Sequence, residues 1–208
     1  KRMIMNKSTK DLDKRLQNIL SQPDFLEMRG VAKEVPLFIQ TYNPCDEDDI
    51  LRIVRGIKKV LEKKGVRVKH IDLFELVIQI LEQKGYLEDV IKDEITWSKS
   101  DLLDDLRNIA DPNDALVPKL IQEIGEENQV SLITGLGRIY PFLRTHSILE
   151  ALQPAMVRHP FVIFFPGEYN QESDGGSFLR LFGKKSTCEI ETAHYRAINL
   201  DSFRTLIS

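Results

Sequence analysis

Cysteine is almost absent from this chain of 208 residues, in which only Cys45 and Cys188 occur. Two cysteines so far apart do not form a disulfide framework, and they are too few for a structural zinc site. No apolar run approaches the roughly 20 residues of a membrane-spanning helix. The first ten residues are basic and polar, without the apolar stretch of a signal peptide. These absences predict a cytoplasmic protein that does not enter a membrane and needs no metal or other cofactor.

An excess of charge of either sign is also missing. The chain carries 29 Lys and Arg against 32 Asp and Glu, which gives a formal net charge of -3. Overall charge therefore favours neither nucleic acid nor an anionic membrane as a partner. Hydrophobic residues make up 42% of the chain, and its length allows one large core. We predict a single domain over residues 1–208, with a flexible segment at 1–10.

Apolar runs of strand length alternate with amphipathic helical patterns along the chain. Residues 86–127 have a helical pattern throughout, and a further helix is predicted at 140–152. This order predicts an α/β fold: one mainly parallel sheet of five to six strands with helices on both faces, a Rossmann-like three-layer architecture. An antiparallel edge is expected near the C-terminus. The predicted strands are residues 35–42, 66–71, 130–134, 161–165, 178–182 and 195–200.

Three polar segments follow predicted strands and are therefore expected at one edge of the sheet. They are residues 43–47, 135–140 and 166–171. In parallel sheets, ligands and partners meet the loops at the carboxyl ends of the strands. Binding residues are therefore sought in these three segments.

The segment around Gly135 and Gly137 allows two interpretations. Glycines between a strand and a helix can expose backbone N–H groups to an anion, and Arg138, Arg144 and His146 follow closely enough to assist. The chain lacks the lysine-containing phosphate loop of nucleotide-binding proteins, however. We prefer a tight turn for the two glycines, and ordinary ion pairs or bonds to backbone for the basic residues.

Two charged runs flank the start of the helix predicted after residue 46. Four consecutive acidic residues at 46–49 suggest a metal site, but acidic residues also favour the first turn of a helix, which we prefer. The basic residues Arg52, Arg55, Lys59 and Lys63 then share one helix face. This stripe would suit a surface that follows a phosphate backbone, but it is typical of the solvated side of an amphipathic helix, which is the interpretation we prefer.

Glu168 and Tyr169 follow the most apolar predicted strand. Such a pair would serve as acid and base, but the sequence places no nucleophile beside it. An ion pair of Glu168 with Arg180 or Arg196 is an equally good explanation. We therefore expect a protein without a catalytic centre.

Taken together, several segments resemble the BrxB family of bacteriophage-exclusion (BREX) systems. The resemblance extends from about Leu12 to Asp201, in the order of the family. The segments are VPLFI and YNP at 35–39 and 42–44, TGLGRIYPFLRTH at 134–146, FFPGEY at 164–169, LRLFG at 179–183 and YRA at 195–197.

This resemblance implies a small component of a phage-defence operon. Its companions there would include a PglZ-type protein of the alkaline-phosphatase superfamily, a large AAA+ ATPase and a DNA methyltransferase. The family brings no established enzyme activity, so the implied role is an adaptor that contacts the PglZ-type protein. The alternative function is a nucleotide- or nucleic-acid-binding domain with a degenerate phosphate loop. Aromatic residues concentrate interface energy, and the candidates for contact are Tyr42, Tyr140, Phe142, Tyr169 and Tyr195.

Overall fold

The computed structural model describes residues 7–29, 36–93, 98–155, 159–171, 177–181 and 197–203. The strands within these ranges are β1 (Leu37–Tyr42), β2 (Val68–Asp72), β3 (Val130–Thr134), β4 (Phe161–Gln171), β5 (Ser177–Leu181) and β6 (Ile198–Asn199). The α-helices are α1 (Lys7–Leu20), α2 (Pro23–Leu26), α3 (Glu47–Lys63), α4 (Leu73–Gln83), α5 (Leu87–Asp93), α6 (Lys99–Ile109), α7 (Val117–Ile124), α8 (Leu136–Ile139) and α9 (Thr145–Leu152).

Five strands form a parallel sheet in the order β2-β3-β4-β1-β6. The pairing of β1 with β4 is the longest in this parallel sheet and runs from Leu37 opposite Phe161 to Tyr42 opposite Pro166. The central strands are almost continuously apolar because helices cover both faces of the sheet. The predicted α/β, Rossmann-like architecture is therefore confirmed.

The two faces of the sheet carry separate apolar cores. Alternate strand residues point to opposite faces. Phe38 and Phe164 accordingly pack with α1 and α3 on one face, whereas Ile39 and Ile163 pack with α4, α7 and α9 on the other. Helices thus form a layer on each side of the sheet, as predicted.

Strand β4 continues beyond the point where the sequence predicts its end. The expected loop at 166–171 is strand, because β5 pairs antiparallel with it from Gly167 opposite Leu181 to Gln171 opposite Ser177. Pro166 interrupts neither pairing, since it lies opposite Tyr42, where β1 ends, and the missing N–H of proline is tolerated at such a position. A central strand thus extends from the sheet into a two-stranded ribbon.

The antiparallel edge expected near the C-terminus was wrong. The edge strand β6 runs parallel to β1, and the antiparallel partner β5 pairs with the extension of β4 instead. A run of strand-forming residues indicates a strand but not its neighbour, so the sequence did not distinguish an edge strand from a ribbon.

The starts of two helices differ from the expected positions. Residues 7–10, which lie in the segment expected to be flexible, form the first turn of α1, where Thr9 is only 3% exposed. The helix predicted from Tyr140 begins at Thr145, so that prediction was wrong. The backbone is extended at Tyr140, with φ of -75° and ψ of 138°, and a helix does not begin there.

Candidate binding rim at the strand ends

The carboxyl ends of the parallel strands lie at one edge of the sheet, which we call the strand-end rim. It contains Tyr42, Asp72, Thr134 and Pro166, which occupy neighbouring positions at the ends of the paired strands. The chain leaves β1 toward α3 on one face, but leaves β2 and β3 toward helices on the other face. Such a change of face marks the usual ligand position in doubly wound sheets.

An ion pair between Asp72 and Arg138 occupies the β2–β3 part of this rim. The Asp72 carboxylate accepts hydrogen bonds from the backbone N–H groups of Phe74 at 3.0 Å and Glu75 at 3.4 Å, and so caps α4. The same carboxylate forms a salt bridge with the Arg138 guanidinium. The Arg138 Cζ atom also lies 5.3 Å from the centroid of the Phe74 ring. The cation of the rim therefore has its counter-ion within the protein.

Gly135 is required by this arrangement. Its φ of +86° is a left-handed conformation that favours glycine. A Cβ atom there would collide with Asp72 Oδ1 and would lie 3.1 Å from the backbone nitrogens of Leu73 and Phe74. The glycine lets the turn after β3 pack against the start of α4.

The geometry around Gly135 favours the tight-turn interpretation over the phosphate-loop interpretation. The Asp72 carboxylate lies where an anion would be expected, beside Arg138. The helix that begins after Gly135 has only four residues, too few for a strong dipole, and Gly137 lies within it. The arrangement is that of a tight turn closed by an internal ion pair.

The other predicted basic residues do not complete a cluster with Arg138. Arg144 immediately precedes α9 and is exposed, and its side chain does not cap that helix. His146 lies within the first turn of α9 and is half-buried. Arg138 is held by Asp72 of the rim.

Tyr140 is the most exposed of the predicted aromatic residues that the structure describes. It is 51% exposed, whereas Tyr42 and Tyr169 are buried at 8% and 5% exposure and belong to the core. Phe142 is partly buried against that core, and Tyr195 lies outside the described residues.

The turn that carries Tyr140 is fixed by Arg107 of α6. Arg107 donates from Nε to the Phe142 carbonyl at 3.2 Å and from Nη2 to the Pro141 carbonyl at 3.5 Å. Asp104 in turn holds Arg107, with 3.0 Å between Oδ1 and Nη1. This bracing reduces the conformational entropy that the turn would lose on binding.

Glu168 and Tyr169 do not share a site. They are consecutive strand residues, so their side chains leave opposite faces of the ribbon. Tyr169 donates its hydroxyl hydrogen to the Ala197 carbonyl at 2.9 Å, and Glu168 is exposed. The register places Arg180 directly opposite Glu168, which is compatible with the expected ion pair. The side chain of Arg180, and both Arg196 and Cys188, lie outside the described part of the chain.

The acidic run at 46–49 does not converge on one point. Glu47 Oε2 accepts a hydrogen bond from the Tyr42 hydroxyl, and Asp49 pairs with Arg52. Burial, followed by the bond to Glu47, raises the pKa of Tyr42. Among the described residues no group of three or more His, Cys, Asp or Glu side chains is arranged to hold a metal ion. These acidic residues begin a helix, as preferred from the sequence.

A polar cleft that the sequence did not reveal lies at the ends of β1 and β6. It has a volume of about 490 Å³, and its lining includes Gln40, which is 1% exposed. Arg15 of α1 donates to Gln40 Oε1 at 2.8 Å, to Asp201 Oδ1 at 2.5 Å and to the Leu200 carbonyl at 3.0 Å. A glutamine within the apolar strand LFIQTY was the available signal.

The described helices include none that is both long and apolar enough to cross a membrane.

The fold and the rim together define a doubly wound α/β protein whose strand-end rim is closed by its own ion pair. The profile of the family described as "BREX protein BrxB" matches residues 69–200. A BREX protein BrxB of Bacillus cereus (strain H3081.97) is 30% identical over 195 residues, which cover 91% of this chain and 97% of the relative.

A BREX protein BrxB of Escherichia coli O9:H4 (strain HS) is 24% identical over 161 residues, 74% of this chain and 77% of the relative. The chain therefore belongs to the BrxB family of BREX phage-defence systems, and the resemblance stated from the sequence is confirmed. No solved structure matches this chain.

Proposed function

We propose that this protein is a non-catalytic adaptor of a cytoplasmic BREX complex, which contacts a PglZ-type protein of the alkaline-phosphatase superfamily through the strand-end rim. The observation that carries the proposal is the braced, 51% exposed Tyr140 beside the exposed Arg144. An aromatic ring and a cation on a pre-ordered turn are the residue types in which binding energy concentrates at protein interfaces.

The rim itself supports a binding role better than a chemical one. The most conspicuous polar groups there, Asp72 and Arg138, neutralise each other, and Asp72 also caps a helix. A general acid or base needs a free position toward substrate, and these two groups have structural partners instead. Cys45, the free thiol of the described residues, is exposed.

The adaptor role is tested by purifying the tagged protein from cells that carry its whole defence operon. We expect the PglZ-type protein to co-purify, as identified by mass spectrometry, and the two purified proteins to co-elute at micromolar concentration. Independent elution of the two proteins would contradict the proposal.

Variants then locate the contact on the rim. Tyr140→Ala and Arg144→Glu should each reduce co-purification at least fivefold, since hot-spot truncations cost roughly 1–2 kcal/mol or more. Tyr86→Ala is the matched control, because Tyr86 is 48% exposed on the loop before α5. Equal losses for Tyr86→Ala and Tyr140→Ala would place the contact elsewhere.

A further inference from the structure

The outer face of α3 carries a stripe of cations that the adaptor role does not use. Arg52, Arg55, Lys59 and Lys63 are all exposed, opposite the face that Ile53, Ile57 and Leu61 bury in the core. Between residues 50 and 69 the sequence has eight Lys or Arg and one acidic residue, although the whole chain has a net charge of -3. This part of the chain is therefore rich in positive charge, and Arg52, Arg55, Lys59 and Lys63 present it on the outer face of α3.

Most of these cations lack an internal counter-ion. Arg52 pairs with Asp49, and Lys58 lies 3.8 Å from Glu62. Arg55, Lys59 and Lys63 have no ion pair with any described residue. Burial, and then the positive charges of Lys58 and Arg55, lower the pKa of His70 on the neighbouring strand, which agrees with a positive potential here.

Gly56 lies in the middle of this stripe, and neither its backbone conformation nor the packing around it requires glycine. It is a helical residue without a positive φ, and a Cβ atom added there would meet nothing within 4 Å. Glycine destabilises a helix interior relative to alanine, so the fold alone would favour alanine. Because Arg52, Lys59 and Lys63 are three, four or seven residues away, they surround the shallow notch that Gly56 leaves. A notch without a side chain allows close approach of another backbone.

We infer that this face of α3 binds the phosphate backbone of double-stranded DNA. Arg55, Lys59 and Lys63 follow one another at intervals of about 6 Å along the helix axis, a repeat that suits adjacent phosphates of one strand. The notch at Gly56 receives the sugar–phosphate chain between the flanking cations. Contacts of this kind position a protein on DNA without reading its sequence.

Other polyanions fit this face less well. Single-stranded nucleic acid is normally held by aromatic rings that stack on its bases, and protein partners are held by aromatic anchors. The large apolar side chains that are exposed in the described part of the chain are Tyr86, Ile91 and Tyr140, and none of them belongs to α3. A surface of cations and a notch, without rings, suits a duplex backbone.

The test measures fluorescence anisotropy of a labelled duplex of about 20 base pairs with the full chain, between about 50 and 200 mM salt. We expect the logarithm of the binding constant to fall with the logarithm of salt concentration with a slope of about -3, for three to four phosphates. The triple variant Arg55→Gln, Lys59→Gln, Lys63→Gln should bind roughly tenfold or more weakly at low salt, with a slope near zero.

Two further variants separate this inference from a merely solvated helix face. A control triple variant removes the same charge from exposed positions outside α3 and should bind the duplex like the wild type. Its substitutions are Lys84→Gln, Lys92→Gln and Lys99→Gln. Gly56→Ala should raise the melting temperature but bind the duplex several-fold more weakly. Unchanged binding of Gly56→Ala, equal loss in both triple variants, or tighter binding of a single strand of the same length would overturn the inference.

Co-purification with the PglZ-type protein tests the adaptor role separately from DNA binding. The α3 triple variant should still co-purify with the PglZ-type protein as well as the wild type does. If the wild type does not bind the duplex and the α3 variant fails to capture the protein partner, the stripe serves an acidic protein surface and the DNA inference is wrong.

Discussion

Asp72 and Arg138 form a salt bridge that joins the end of β2 to the turn after β3, across 66 positions of the chain. The carboxylate also caps α4, so one side chain fixes a helix start and neutralises a cation whose side chain is only 34% exposed. The pair therefore links the end of β2 to the turn after β3 at the rim.

Removal of the Asp72 carboxylate should destabilise the fold. Asp72→Ala loses the cap of α4 and leaves the Arg138 charge without its partner, at a cost of about 2–3 kcal/mol in the free energy of unfolding. The measurement is urea unfolding followed by circular dichroism. In Asp72→Ala/Arg138→Met the orphaned charge is gone, so the double variant should lose less than the sum of the single losses. Strict additivity would show that the two residues do not interact.

Substitution of Gly135 should cost more than its backbone conformation alone explains. Gly135→Ala combines a positive φ with a collision at Asp72, for which we expect a loss of about 3 kcal/mol or more. Gly85→Ala is the control, because Gly85 has a φ of +77° but open space around its Cβ position, and should cost about 1 kcal/mol. Equal losses in urea unfolding would mean that the turn after β3 moves freely away from α4.

Stability should decrease between pH 6.5 and pH 4 because His70 is held neutral. Burial, with the charges of Lys58 and Arg55, lowers the pKa of His70 to about 4, from an ordinary value of 6.5. The unfolded chain therefore binds more protons in this window. The contribution of His70 is complete above pH 6.5 and is lost as the pH falls toward 4, on the order of 2–3 kcal/mol.

The comparison of wild type with His70→Gln isolates this effect from other titrating groups. His159, whose pKa is also lowered by burial, remains in both proteins and cancels in the comparison. From pH 7.5 to pH 4.5, the unfolding free energy of the wild type should fall by that amount more than the unfolding free energy of His70→Gln. Parallel pH profiles would show that His70 titrates normally in the folded state.

Loss of Arg15 should loosen the attachment of the C-terminal segment. Arg15→Met removes the donor to Gln40, which is 1% exposed, and the bonds to Leu200 and Asp201. We expect a loss of about 1–3 kcal/mol and faster hydrogen exchange at residues 197–203. Lys14→Met, at the neighbouring exposed position, should change neither the unfolding free energy nor the hydrogen exchange. If Lys14→Met had the same effects as Arg15→Met, the hydrogen bonds of Arg15 would not explain them.

The central strands were predictable because burial on both faces leaves a strong pattern. VSLIT at Val130–Thr134 is buried throughout in the structure, and FVIFF at 161–165 is as well. Helices α3 and α4 were equally visible, since their apolar residues recur at helical spacing and glycine follows each of them.

The site was less predictable because its contacts join distant parts of the chain. A tight turn was one of the two interpretations of Gly135, but the carboxylate beside it belongs to Asp72, which lies far away in the sequence. Arg15 and Asp201 are 186 positions apart, and no local pattern marks such a pair. The ribbon was missed for the same reason: its partner strand decides whether residues after Pro166 are extended or form a loop.

The extension of β4 has a mechanical consequence for any protein that holds the ribbon. The eleven residues of β4 run without a break from the middle of the sheet to the ribbon. A load applied at the ribbon therefore travels along one covalent strand and is shared at its base by β1 and β3, which bond to it on either side. Such shear loading must break several interstrand hydrogen bonds at once, whereas the short β6 at the edge would peel away one bond at a time. A force on the ribbon is therefore transmitted to the central strands, which resist it through several hydrogen bonds at once.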